Sequence, residues 1–213
     1  MNTLQQIRLI WKPLAFLLCL TPMILLLTDA FLMPERLGGN PVEFIQDYLG
    51  NWALRFILIV LAVTPLRRVS GWNWLSRFRR MLGLFAFFYA LMHFLAWYIL
   101  DQGMQFSAIL EDITKRPFIT IGFAAVVLLT TLAVTSFTAI RRGMGRSWQK
   151  LHNVIYGIGL LAVWHYWWQV KKDITEPLIY AAILALLLGL RLFWRWNRTK
   201  KRRPMAPPAQ PQS

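Results

Sequence analysis

Acidic side chains are scarce in this chain. Nine Asp and Glu stand against 24 Lys and Arg in 213 residues, and charged residues of both signs make up only 15%. A soluble domain carries roughly a quarter, so a water-coated globular body is excluded. Cysteine occurs once, at Cys19, which rules out an internal disulfide and leaves it as a small apolar core residue. No G-x-G-x-x-G stretch marks a phosphate-binding loop. Histidine occurs three times, at His93, His152 and His165.

Hydrophobic residues fill the space the charges leave, at 57% of the chain and a mean hydropathy of +0.44. Apolar runs near the ~20 residues that cross a bilayer recur along it. They predict six spans, at 12–28, 50–66, 81–100, 118–140, 151–169 and 177–196. The fold expected is an all-α integral membrane protein, a six-transmembrane-helix bundle at 12–196. A cytoplasmic N-terminus (1–11) precedes it and a basic, Pro-rich cytoplasmic tail (197–213) follows. Five later spans argue against a cleaved signal peptide at the first.

Charge placement sets the direction. With the N-terminus inside, Arg8 and Lys12, five arginines between 67 and 80, four basic residues between 141 and 150 and seven between 191 and 203 all fall inside. Outside lie Arg36, Lys115, Arg116, Lys171 and Lys172, together with all nine acids. This segregation follows the positive-inside rule and expects both termini in the cytoplasm. The formal charge of +15 therefore reads as anchoring to anionic lipid rather than nucleic-acid binding. Trp72, Trp74, Trp97, Tyr98, Trp167, Trp168, Trp194 and Trp196 gather near span ends, as interfacial aromatics do.

Ionisable residues inside spans are costly and mark function. Counted from the inner ends of the third and fifth spans, His93 lies ~18 Å and His165 ~21 Å along its helix. Two imidazoles at one level of the membrane suit the two axial positions of a haem iron. Ala86, Tyr89, Ala90 and Trp97 share the face of His93, and Ile158, Leu161, Ala162 and Trp168 that of His165. Small and aromatic side chains there leave room for, and stack on, a flat ring. His152 lies ~20 Å inward of His165. It is a candidate for a second haem or for a quinone or flavin site, with Tyr156 and Gly159 on its face, or else an interfacial residue. Arg55 reads either as a snorkelling cation or as a propionate partner. Arg77, Arg79 and Arg80 read as stop-transfer anchors or as phosphate and propionate ligands.

The segments "RFRRMLGLFAFFYALMH" (77–93), "WQKLHNVIYGIG" (148–159), "WHYWW" (164–168) and "WALRFILIVLAVTPLR" (52–67) resemble the MsrQ (YedZ) family. This is a branch of the ferric-reductase-like transmembrane superfamily, and the resemblance spans roughly 8–198. It implies a haem b subunit of the bacterial inner membrane. Such a subunit takes electrons from respiratory quinol, or from a flavin reductase, and passes them to MsrP. MsrP is a periplasmic molybdopterin enzyme that reduces methionine sulfoxide in oxidised proteins. The resemblance also implies FMN, and it places His93, His152 and His165 on haem-linked positions. Ferric reductases and NADPH oxidases carry two histidines on each of two helices plus a cytoplasmic flavin domain; this chain has three histidines and expects no such domain. The expected role is electron transfer without a substrate-reducing site of its own. The competing readings are a histidine-lined transporter or metal-handling protein and a direct ferric-chelate reductase. Against the transporter stand the absence of acids within the spans and of an evident inverted repeat.

The charge asymmetry makes a testable prediction. Reporter fusions after Asp112 and Asp173 should read periplasmic, and fusions after Arg146 and Arg203 cytoplasmic. A cytoplasmic signal at Asp112 inverts the depth assigned to His93 and His165.

Overall fold

The computed structural model describes residues 3–170 and 173–201, and every regular element among them is helical. Lys171, Lys172, Arg202, Arg203 and the end of the tail lie outside the described residues. The helices are α1 (Leu4–Leu32), α2 (Pro41–Ser70), α3 (Arg79–Asp101), α4 (Phe106–Lys115), α5 (Pro117–Val134), α6 (Thr138–Met144), α7 (Arg146–His152), α8 (Ile155–Gln169) and α9 (Thr175–Lys201). Five of them, α1, α2, α3, α5 and α9, are long and apolar enough to cross a membrane. The sixth expected span appears as α8, with 15 residues. At ~22 Å it falls short of a ~30 Å hydrocarbon core. A turn at Asn153–Val154 separates it from α7, and Asn is a poor residue for a helix interior. His152 therefore ends α7 rather than beginning the helix of His165, which corrects the expected placement.

Local signals explain the helix limits. Pro41 opens α2, Asn40 Oδ1 accepts the Glu43 N–H at 3.3 Å, and Asn40 Nδ2 donates to Glu43 Oε2 at 2.9 Å. Gly71 closes α2 at φ +74, a left-handed cap that few other residues adopt at low cost. Because α2 starts at Pro41 and not near residue 50, Arg55 lies ~21 Å into the helix instead of one turn from its end.

The core is a ring of four helices, with α2 against α3, α3 against α5, α5 against α8, and α8 back against α2. The first pair and the second pair repeat one arrangement. Gln46, Gly50 and His93 of α2 and α3 have counterparts 72 residues later in Phe118, Gly122 and His165 of α5 and α8. This is a parallel repeat, one that side-chain identity barely records. α9 covers α2 and α8, and α1 touches α3 with most of its surface facing outward.

Pro22 and Pro65 each disturb backbone pairing inside a helix, and side chains from neighbours meet both disturbances. In α1, next to Pro22, the Met23 N–H donates to Tyr89 Oη at 3.1 Å and the Tyr89 hydroxyl donates to the Cys19 carbonyl at 2.8 Å. Tyr48 Oη donates to the Pro22 carbonyl at 3.0 Å. A hydroxyl has thus entered the helical ladder, a recognised cause of kinks. Tyr89 is fully buried, stacked on Phe56 at 5.2 Å, so it fastens α1 and does not face a cofactor. In α2, Pro65 has no N–H for the Leu61 carbonyl. Arg191 of α9 donates there from Nη2 at 2.6 Å, and its Nη1 donates to Tyr156 Oη. Tyr156 is therefore the seat of Arg191, whose guanidinium lies 4.8 Å over its ring. Gly159, expected to make room for a flat ring, is packed: a Cβ there would meet Leu184 at 3.2 Å and Leu61 at 3.3 Å.

Replacing Tyr89 by Phe keeps the ring and removes the hydroxyl bridge. The variant should lose about 1 kcal/mol, the scale of an interhelical hydrogen bond in a membrane protein. A lower midpoint of thermal unfolding in detergent would register the loss.

Candidate functional site

The four-helix ring encloses a cavity of about 670 Å³, within the ~300–1,000 Å³ of small-molecule and cofactor sites. Its floor is apolar, formed by Leu54, Ile57, Val126 and Leu129, and its rim carries Glu43, Asp47, Asp101, Arg116 and Asp173. His93 of α3 and His165 of α8 enter from opposite sides, with ring centres 6.2 Å apart and ring planes at 73°.

The two imidazoles are held alike. His93 Nδ1 lies 3.0 Å from the Gln46 carbonyl and His165 Nδ1 lies 2.7 Å from the Phe118 carbonyl. A carbonyl only accepts, so each Nδ1 carries the proton and donates, leaving Nε2 unprotonated and able to ligate a metal. Anchoring of the second ring nitrogen to a carbonyl is the usual support of a ligating histidine. Glycines permit the approach. A Cβ on Gly50 would stand 3.1 Å from the His93 ring, and one on Gly122 2.8 Å from the His165 ring. In a helix the carbonyl of residue i points at the N–H of i+4. Gln46 points at Gly50 and Phe118 at Gly122, so each carbonyl has a side-chain-free flank from which an imidazole reaches its second lone pair.

This donor set fits haem. Two imidazoles with ring centres 6.2 Å apart, each with a free Nε2, could share one iron between them, and imidazole is a standard haem ligand. Ala90 and Ala162, at matching positions of the repeat, line the cavity as expected. Phe118 is stacked near His165, at 6.3 Å and 29°. Among the described residues, no group of three or more His, Cys, Asp and Glu forms a metal site. The convergence is of two imidazoles only. Asp173 keeps the rim negative: hydrogen bonds from the Thr175 side chain and backbone N–H hold its carboxyl below the usual range.

The other sequence-predicted residues are placed elsewhere. Of the expected neighbours, Trp97 lines the cavity, while Ala86 and Ile158 are buried in the core and Trp168 stacks outward on Trp164. Arg55 is off the cavity, its Nε donating to Tyr180 Oη at 2.9 Å and its guanidinium lying over Trp52 at 4.9 Å. His152 stacks on Trp148 at 4.0 Å, with Nε2 3.1 Å from Thr135 Oγ1, and does not line the cavity. Arg77 and Arg80 are exposed at the basic end, Arg79 is half-buried there, and none of the three lines the cavity. Sequence reasoning missed Gly50, Gly122 and Arg116. The signal for the glycines was present, since both lie 43 residues before a histidine.

Fold and site define a multi-pass helical membrane protein built around a paired-imidazole cavity. Residues 49–163 match the family described as ferric reductase like transmembrane component. Relatives named protein-methionine-sulfoxide reductase heme-binding subunit MsrQ extend the likeness. The one from Ralstonia nicotianae is 51% identical over 170 residues, 78% of each chain. Those from Xanthomonas euvesicatoria pv. vesicatoria and Herminiimonas arsenicoxydans are 52% and 48% identical over 179 residues, 83% of this chain and 82% of theirs. The chain belongs to the MsrQ family of ferric-reductase-like transmembrane proteins.

The glycine contacts differ enough to rank. Gly122→Ala should displace the His165 ring and lower haem retention several-fold. Gly50→Ala, whose Cβ stands slightly farther from its ring, should cost less. Gly83→Ala, with nothing within 4 Å, should leave retention at the wild-type level. Haem per protein after purification, by pyridine haemochrome assay, checks the order.

Proposed function

We propose that this chain is the haem-carrying electron-transfer subunit of a protein-methionine-sulfoxide reductase, with His93 and His165 as axial ligands of one b-type haem. The observation that carries the proposal is the pair of facing imidazoles, each tied through Nδ1 to a backbone carbonyl, in one cavity. A bound haem supplies reversible one-electron storage. The chain's own residues hold both rings in register, keep Nε2 unprotonated and surround the deep end with apolar side chains. Cys19 is buried beside Tyr89 and does not line the cavity, in keeping with non-covalent attachment.

The direction of transfer rests on topology. In this reading α8 completes a six-span bundle in the bacterial inner membrane with both termini in the cytoplasm. The acidic rim then faces the periplasm, towards a molybdopterin partner such as MsrP. Electrons arrive at the basic end, from the quinone pool or from a flavin reductase. His152 serves that end, either on a second haem or in a quinone or flavin site. Arg77, Arg79 and Arg80 are the side chains there suited to the phosphate of FMN, which enters by family resemblance.

The purified protein should show a low-spin bis-histidine b-type spectrum. His93→Ala and His165→Ala should each abolish or strongly deplete that signal, and with it electron delivery to the periplasmic partner. A colourless preparation from haem-replete cells overturns the proposal.

A further inference from the structure

Among the described residues lining the cavity, one carries a permanent positive charge, Arg116, and it stands at a rim otherwise occupied by Glu43, Asp47, Asp101 and Asp173. Its position is built into the chain. Pro117 disfavours helical backbone in the residue before it, and Arg116 accordingly sits at φ −117, ψ 93, between the end of α4 and the start of α5. Its carbonyl accepts the N–H groups of Ile119 at 2.9 Å and Thr120 at 3.3 Å, which fixes the backbone at the rim. Asp112 Oδ1 lies 3.3 Å from the Nε edge of its guanidinium, and Gln102 Nε2 holds the same carboxylate by donating to Oδ2 at 3.0 Å. The Nη edge of the fork makes no hydrogen bond among the described residues.

The cavity imposes an orientation on whatever flat ring His93 and His165 clamp. Haem carries two propionates, and carboxylates cannot be left unpaired against the apolar floor of Leu54, Ile57 and Leu129. They belong at the rim, where, among the described lining residues, four carboxylates repel them and the Arg116 guanidinium attracts them. The repeat breaks at this point. The counterpart of Arg116, 72 residues earlier, is Phe44, so the two halves of the ring differ in charge where they meet the rim.

We propose that Arg116 binds a haem propionate through its Nη edge, and that Asp112, by holding the Nε edge, is the positioning residue that aims it. The inference rests on the His93–His165 reading. Arg116 is planar and always charged, which suits it to a carboxylate that must stay ionised. A fixed cation at that place favours the ferrous over the ferric ring, because the oxidised state carries one more positive charge. It thereby raises the midpoint potential, and it also selects which edge of the macrocycle faces the rim.

The test uses the full chain in lipid nanodiscs with haem bound as isolated, and compares wild type with Arg116→Gln, Arg116→Lys and Asp112→Asn. Midpoint potential is read by spectroelectrochemistry, the propionate bending band by resonance Raman, and haem-to-protein ratio alongside. Arg116→Gln is expected to shift the ferric-to-ferrous balance about tenfold towards ferric, ~59 mV for a one-electron couple, and to move the propionate band. Arg116→Lys should keep most of the potential while still shifting the band, since charge remains and the fork is gone. Asp112→Asn should shift the potential the opposite way, by removing a nearby negative charge. Haem loss in Arg116→Gln that Arg116→Lys restores also supports the assignment. A wild-type potential and propionate band in haem-loaded Arg116→Gln overturns it. So does an equal loss of thermal stability in Arg116→Gln and Asp112→Asn without redox change, which makes Arg116 a loop clamp. Wild-type protein that binds no haem fails differently, by removing the His93–His165 reading itself.

Discussion

Two hydrogen bonds from imidazole to backbone organise this molecule. Each ties a histidine on one helix to a carbonyl on its partner helix, His93 to Gln46 and His165 to Phe118. Both carbonyls already face the N–H of a glycine four residues on, so the second bond forms only where no side chain intervenes. Each bond fixes the tautomer of its ring, the separation of its helix pair and the level at which the ring enters the cavity. Because the two pairs are related by a shift of 72 residues, solving this packing problem once places both imidazoles, and the cavity lies where the pairs face each other. Cofactor sites in helical bundles are commonly built from side chains on facing helices in this way.

The membrane makes a second demand, that backbone polar groups find partners without water. Pro22 and Pro65 disturb the helical ladder within α1 and α2, and both disturbances are met by side chains of neighbouring helices. Tyr89 and Tyr48 close the break in α1, which otherwise holds to the bundle along a thin seam. Arg191 closes the break in α2 and rests on Tyr156. Arg55 is similarly absorbed, its charge spread over Tyr180 and Trp52. Three of the polar residues that look like ligand contacts, Tyr89, Tyr156 and Arg55, are parts of the scaffold.

Charge is distributed with equal economy. The three ion pairs found among the described residues, Arg36–Asp29, Lys115–Glu111 and Arg116–Asp112, involve the acidic end of the bundle. Lys115 and Glu111 form an exposed i,i+4 pair on α4, where a hydrogen bond from the lysine holds the Glu111 carboxyl below its ordinary range. Such exposed pairs contribute little stability. Their positions, with the acids at the cavity rim, concentrate the carboxylates at one end of the bundle.

Much was legible from residue types alone. Apolar runs and scarce charge placed the chain in a membrane, because neither can be reconciled with a water-facing surface of this size. Counting along the expected spans brought His93 and His165 to one level, and the structure sets their rings 6.2 Å apart. The count for His165 nevertheless ran through the turn at Asn153–Val154. The four-residue step to Gly50 and Gly122, the repair of the proline breaks and the place of Arg116 at the rim were not readable. Each depends on which face of one helix meets which face of another, and periodicity within a segment carries no information about that. His152 shows the same limit at close range. Thirteen residues of presumed helix put it below His165, but a turn at Asn153–Val154 sets it on α7, against Trp148 and Thr135. Local composition decides what must be buried; only the packing of helices decides what each buried side chain touches.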